Sequence, residues 1–233
     1  MWKNALTKLQ TAYLEKEDES KQKECPLIGV YDYTVVLTYI SLASSIIGMF
    51  LAMNMKIGLA VGCLALSGFL DMFDGKVART KKDRTELEKN FGIQIDSLCD
   101  VICFGVLPVI ICYQMGMRSL IGIAVLVMYC LCGMIRLGYF NVVEEMRQKE
   151  TSENRKYYQG LPITSISVLF PVMMLLIYFF PRAAMSIAHI FMFGTGLLFV
   201  TDFQFRKPTN RELAVLVGAV AAVVYILFRK HGA

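Results

Sequence analysis

DMFDGKVARTKKDRTELEKNFGIQIDSLCD, residues 71–100, decides how this chain is read. Long apolar runs flank it, yet it places Asp71, Asp74, Asp96 and Asp100 where a membrane segment tolerates charge least. The 233 residues around it are 56% hydrophobic and 18% charged, with a mean hydropathy of +0.52. That is more apolar surface than one water-soluble core hides, so the composition implies an integral membrane protein. The apolar residues fall in blocks of roughly 20, the length of helix needed to cross the hydrocarbon layer. The expected architecture is all-α, a polytopic bundle of membrane helices.

Seven hydrophobic segments can be drawn, at 34–54, 57–78, 92–114, 118–140, 161–180, 183–203 and 211–228. The start of the chain carries charge throughout and has no continuous apolar stretch of signal-peptide type, so it is expected on the cytoplasmic side. Within it Trp2, Leu6, Leu9 and Tyr13 recur at helical spacing. They suit a short amphipathic helix on the headgroups, and a frayed polar tail is the alternative. With that start, the face formed by the N-terminal arm and the 79–91, 141–160 and 204–210 connections, counted with the membrane-edge residues Lys76 and Arg211, carries 18 of the 24 Lys and Arg residues. The positive-inside rule then makes this face cytoplasmic. Seven crossings would send the basic C-terminus to the far side, which makes the last segment the weakest span. The expected division is an arm at 1–33, a membrane domain at 34–203, and a C-terminal connection with its additional segment at 204–233.

Asp71 and Asp74 are three residues apart near the end of the second segment, and Asp96 and Asp100 are four apart in the third. Each pair therefore projects from one helix face. Both pairs lie about eight residues inside the membrane edge, roughly 12 Å by helix rise, so four carboxylates can converge at one depth. A lone aspartate in a bilayer costs about 2.5–3.5 kcal/mol on insertion scales, and neighbouring carboxylates repel. Such a cluster calls for cations. An oxygen-only donor set points to a hard divalent ion such as Mg²⁺ or Mn²⁺, and shared carboxylates can hold two of them around a phosphate. Gly75 and Ala78 strip bulk from the face beside the first pair, and Arg79 adds a guanidinium suited to phosphate oxygens. A plain reading takes the glycines as packing and the KKDR run at 81–84 as an ordinary positive-inside signal.

Other reactive residue types carry less. The seven cysteines lie mostly in apolar segments and form no CxxC pair, which argues for packing rather than a disulfide framework or zinc site. His189 and His231 have no ligand partner nearby in sequence. Gly58 to Gly62, GLAVG, offers a small-xxx-small face for helix packing within or between subunits. Arg136, the one basic residue well inside a segment, should face a polar cavity and bind phosphate or a carboxylate, with snorkelling to the headgroups as the alternative.

The spacing Asp71-x-x-Asp74-Gly75-x-x-Ala78-Arg79 followed by Gly92-x-x-x-Asp96-x-x-x-Asp100 resembles the signature of the CDP-alcohol phosphatidyltransferases. The resemblance implies a core of about six membrane helices, to which the seventh segment is an addition. It also implies transfer of a phosphatidyl group from a CDP-linked lipid to an alcohol with release of CMP. Twelve residues separate Arg79 from Gly92, where the family pattern commonly has about eight. Three further stretches, FGIQIDSLCDVICFGVLP (91–108), IRLGYFN (135–141) and YQGLP (158–162), are similar to the phosphatidylserine synthase branch and narrow the acceptor to L-serine.

By this resemblance Asp71 and Asp96 bridge two ions, Asp74 completes the first, and Asp100 completes the second and takes the proton of the attacking hydroxyl. Gly75, Ala78 and Arg79 meet the CDP-lipid, with Thr38 and Thr85 as further contacts to it. Arg136 and Gln159 are placed at the serine or phosphate end. The implied partners are CDP-diacylglycerol, L-serine and membrane lipids, with no nucleic acid and with a homodimer as a family-based expectation. The implied location is the cell membrane, with the active site facing the cytoplasm. Other acceptors, glycerol 3-phosphate or inositol phosphate, and an archaeal-type lipid donor stay open. So does a different class, a cation transporter whose carboxylates bind the carried ion.

Overall fold

The computed structural model describes residues 28–78, 80–81, 83–150, 157–206 and 210–231. The expected N-terminal amphipathic helix and Arg79 lie outside the described residues. Helix α1 (Tyr33–Met53) starts on Asp32, whose carboxylate accepts the Tyr33 N–H, and α2 (Ile57–Ala78) returns alongside it. Their contact is built from small and hydroxylated side chains. Ser45 and Ser67 lie 2.9 Å apart, Ser67 donates to the Ser41 carbonyl, and Ser41 donates to the Ser67 carbonyl. In lipid, where hydrophobic association gives no advantage, close backbones and such bonds hold helices together.

Helix α3 (Glu86–Asp100) starts on a capping box: the Thr85 hydroxyl accepts the Glu88 N–H, and the Glu88 carboxylate accepts the Thr85 N–H. A π-helical turn, Val101–Val106, joins it to α4 (Leu107–Met115) in one rod of 30 residues. Pro108 explains a contact there. It has no N–H to give the Phe104 carbonyl four residues earlier, and the buried Tyr129 hydroxyl donates to that carbonyl instead, at 2.7 Å. Tyr129 comes from α5 (Leu120–Glu150) and packs against Gly196 of α7 (Ala184–Val200), where a Cβ would stand 3.2 Å from the Tyr129 Cα. Helix α6 (Ile166–Phe179) follows a short 3₁₀ turn, and Ser167 sits so close to Gly68 of α2 that any side chain at 68 would overlap it. Helix α8 (Asn210–His231) leans on α2, with Val224 against Gly62, so one glycine of GLAVG serves packing within the chain.

Among the described residues, five helical stretches are long and apolar enough to cross a membrane: 33–53, 57–78, 86–115, 120–147 and 181–200. Helix α6 and the apolar part of α8, Val215–Ile226, are shorter. The protein is a multi-pass, all-α membrane protein. Its departures from the sequence expectation lie at the polar ends. The third segment begins six residues before Gly92, because the capping box and the acidic first turn at Glu86 and Glu88 start the helix in the loop. The fourth runs ten residues beyond Phe140 into the expected 141–160 connection, supported by an Arg147–Glu144 ion pair at 2.6 Å. Two short strands, β1 (Tyr157–Gln159) and β2 (Gln204–Arg206), pair antiparallel and tie two loops on the same side.

Candidate functional site

The carboxylates meet where α2 and α3 leave space between them. Helix α1 packs against both, whereas α2 approaches the rod more closely at its π turn and α4 than along α3. Asp71, Asp96 and Asp100 each offer a carboxylate oxygen within 4.8 Å of the others, close to the span of two metal–oxygen bonds. Asp100 is buried and the other two are half-buried. Asp74, also buried, stands outside this trio but interacts with the Asp96 carboxyl, and it accepts the Thr38 hydroxyl of α1 at 3.4 Å. Thr38 is fixed in turn, its carbonyl accepting the Cys99 thiol at 3.3 Å. Four carboxylates from two helices and a hydroxyl from a third thus share one chamber. An all-oxygen set at this spacing can hold a hard divalent ion.

Gly75 is exposed, and a Cβ built there would meet nothing within 4 Å. A glycine inside a helix costs about 1 kcal/mol relative to alanine, and here no neighbouring helix requires it. The open flank beside Asp71 and Asp74 is room for a ligand. Ala78, half-buried, ends α2. Thr85 is engaged as the α3 cap, about 16 Å of helix rise from Asp96. That distance separates it from the carboxylates.

Arg136 is buried and does not snorkel. Its Nε donates to the Leu161 carbonyl at 2.7 Å, and its guanidinium lies 4.6 Å from the centre of the Phe140 ring. The YQGLP stretch presents that carbonyl through Gly160, whose φ of +68° suits glycine and whose N–H donates to the Phe203 carbonyl. Gln159 is in β1, opposite Gln204, and its side chain lies outside the described residues. Asn141 donates to the Ser97 hydroxyl at 2.6 Å. The three stretches beyond the aspartates are therefore one wall: Ser97 of the first meets Asn141 of the second, and Arg136 of the second meets Leu161 of the third. Of the other reactive side chains, His189 bonds to the Met185 carbonyl of its own helix, and Cys99, Cys103 and Cys112 are buried.

The sequence reading missed a clamp at the mouth of the site. Lys81 donates to Asp32 at 2.7 Å and to Glu88 at 2.9 Å. Each carboxylate uses its other oxygen to cap a helix, Asp32 for α1 and Glu88 for α3. One ammonium group thus ties together the starts of the helices that carry Thr38 and the second aspartate pair. Tyr33 and Thr80 reinforce it, with hydroxyls 3.2 Å apart. Burial pushes the Asp32 carboxyl up, and the Lys81 ammonium and Tyr33 N–H more than reverse this, holding it below its ordinary range. The Thr85-x-x-Glu88 box and the Asp32 cap were available in sequence, but Lys81 as their common partner was not.

A family model described as CDP-alcohol phosphatidyltransferase matches residues 34–199, most of the chain and all four aspartates. The chain belongs to that family and is a membrane transferase. Curated relatives narrow the resemblance. A Helicobacter pylori protein, 29% identical over 210 residues that make up 86% of this chain and 84% of its own, is a CDP-diacylglycerol–serine O-phosphatidyltransferase. So is a Methanocaldococcus jannaschii protein, 30% identical over 166 residues, 71% of this chain and 72% of its own. A Saccharomyces cerevisiae protein of the same name is 36% identical over 100 residues, 42% of this chain, and that match spans about a third (35%) of the yeast protein.

Proposed function

We propose that the protein transfers the phosphatidyl group of CDP-diacylglycerol to L-serine, giving phosphatidylserine and CMP, in the cell membrane with its site open to the cytoplasm. The convergence of Asp71, Asp96 and Asp100 within 4.8 Å, with Asp74 beside them, carries this reading. Asp71 and Asp96 would bridge two ions, Asp74 completing the first site and Asp100 the second. Bound Mg²⁺ or Mn²⁺ would neutralise the diphosphate and the departing phosphate.

The chain's own groups do the rest. The open flank at Gly75 admits the donor head while its acyl chains stay in lipid, with Ala78 and the signature's Arg79 assigned to the same donor. Thr38 orients Asp74. Asp100 accepts the serine hydroxyl proton as that oxygen forms a bond to the phosphorus bearing diacylglycerol, and the bond from this phosphorus to CMP breaks. Arg136, buried beside the wall formed by Asn141 and Leu161, receives the serine carboxylate, with Gln159 nearby in the chain at the same mouth.

The purified protein in detergent, given CDP-diacylglycerol and Mn²⁺ or Mg²⁺, is expected to release CMP only when serine is added, and to stop when EDTA removes the ions. Glycerol 3-phosphate, glycerol and inositol phosphate serve as competing acceptors. Release driven better by one of these reassigns the acceptor. No CMP with any of them, together with ion flux in vesicles, favours the transporter.

A further inference from the structure

Two thiols stand directly behind the carboxylate chamber, and neither meets a substrate in the proposed reaction. Cys99 and Cys103 are four residues apart on the rod, so they project from one face, and their Sγ atoms lie 3.5 Å apart. Both are buried, and Cys103 belongs to the π turn. Cys103 is also close enough to act electrostatically on Asp71 and Asp100. The pair is not a CxxC, the usual mark of a metal-binding loop. Its CxxxC spacing is one turn of helix, which sets two sulfurs side by side.

Helix α1 turns two oxygens toward these sulfurs. The Thr38 carbonyl accepts the Cys99 thiol at 3.3 Å, and the Ser41 hydroxyl lies 3.8 Å from the Cys103 sulfur. Ser41 donates its own proton to the Ser67 carbonyl, which leaves its oxygen lone pairs for the thiol side. Two sulfurs and two oxygens are thus linked by contacts of 3.3, 3.5 and 3.8 Å. Sulfur and oxygen ligands around a tetrahedral ion, each about 2.0–2.3 Å from it, stand about 3.3–3.8 Å from one another. Thiolate sulfur selects soft or borderline ions, whereas the carboxylates beside it select hard ones. The acidic chamber, open beside Gly75, attracts cations and gives an ion its way in.

We propose that Cys99 and Cys103, with the Thr38 carbonyl and the Ser41 hydroxyl, form a second metal site, for a thiophilic divalent ion such as Zn²⁺ or Cd²⁺, whose occupation inhibits transfer. Each thiol gives up its proton to solvent as its sulfur takes the ion. The ion then holds the Thr38 carbonyl in place of the Cys99 S–H, which moves the hydroxyl that supports Asp74. It also sets a positive charge beside Asp71 and Asp100. The site lies beyond the proposed reaction, and its binding of an ion does not depend on that reaction.

The test is a titration of Cd²⁺ into the full chain in detergent, with excess Mn²⁺ and no added thiol. Thiolate ligation gives an ultraviolet sulfur-to-metal charge-transfer band that carboxylates do not give. Wild type is expected to develop this band, and Cys99→Ser and Cys103→Ser to weaken Cd²⁺ at least about tenfold each, the loss of one sulfur ligand. CMP release by wild type should fall as the band grows, stay low when Mn²⁺ is raised about tenfold further, and return with a dithiol chelator. Cys103→Ser, which keeps a hydroxyl toward Ser41, should release CMP normally without Cd²⁺ and need at least about tenfold more Cd²⁺ for the same inhibition. No band in wild type overturns the site, as does an undiminished band in the double variant Cys99→Ser with Cys103→Ser. Inhibition that excess Mn²⁺ relieves, equal in wild type and Cys103→Ser, places the inhibiting ion at the carboxylates and overturns the inhibitory role. A chain that releases no CMP with any acceptor, yet shows a band that both serine variants weaken, supports the site and removes only the proposed reaction.

Discussion

Replacing Lys81 with methionine tests whether the mouth of the site is held by one ammonium group. The side chain keeps its length and loses two charge-assisted hydrogen bonds, to Asp32 at 2.7 Å and to Glu88 at 2.9 Å. Lys81, Asp32 and Glu88 are 26%, 19% and 22% exposed, between the surface ion pairs that contribute little and the buried ones that contribute most. About 1 kcal/mol for each contact, discounted for solvent, gives about 2 kcal/mol in all. For a chain of this size that corresponds to a fall in melting temperature of about 4–8 °C.

The pH dependence of the clamp has a defined sign. Burial raises the Asp32 pKa, but Lys81 and Tyr33 hold it below its ordinary 3.8, so its contribution is present above that pH and is lost as pH falls through the lowered value. The Asp32 and Glu88 hydrogen bonds raise Lys81 above its ordinary 10.5, so its contribution is present below that pH and disappears as pH rises through the raised value. Between about pH 5 and 9 the clamp is constant. The assay is thermal unfolding in detergent at pH 7 on Lys81→Met, Asp32→Asn and the double variant. The double variant is expected to be about as stable as Lys81→Met alone, since that substitution already removes the Asp32 contact, while Asp32→Asn alone keeps the Glu88 contact and loses less. Strictly additive losses, or a shift below 1 °C for Lys81→Met, refute the clamp.

Three further outcomes follow from the same contacts. Thr38→Val removes the hydroxyl donated to Asp74 and should raise the Mn²⁺ concentration for half-maximal activity about tenfold, read from a metal titration of CMP release. Tyr129→Phe leaves the buried Phe104 carbonyl beside Pro108 without its donor, costing about 1–3 kcal/mol, seen as a lower melting temperature with the serine KM unchanged. Arg136→Leu should raise the serine KM at least tenfold while leaving the donor KM in place, and equal kinetics for both substrates would remove Arg136 from the site.

The membrane class, the apolar segments and the aspartate spacing were legible because each depends on local composition and helix periodicity. Asp71, Asp96 and Asp100 could be brought together on paper, since helix rise alone sets them at one depth. What could not be read depends on partners distant in sequence. Lys81 looked like one charge in a basic run until Asp32, 49 residues earlier, came beside it. The strands at 157–159 and 204–206 are too short to carry a pattern, and only their pairing defines them. Thr85 shows the reverse case: its Thr-x-x-Glu spacing is local and makes it the α3 cap, a role the sequence held beside the contact to the CDP-lipid that the resemblance implies.

The widened turn after Asp100 works as a phase shifter in the rod. An α-helix advances about 100° per residue, so accommodating one extra residue per turn rotates everything below it relative to everything above. Asp96 and Asp100 are aimed by the upper half, while Leu107 and Ile111 are seated by the lower half. The two halves can be tuned separately: repacking the lower one to suit a different bilayer or neighbour need not swing the acidic face away from its chamber.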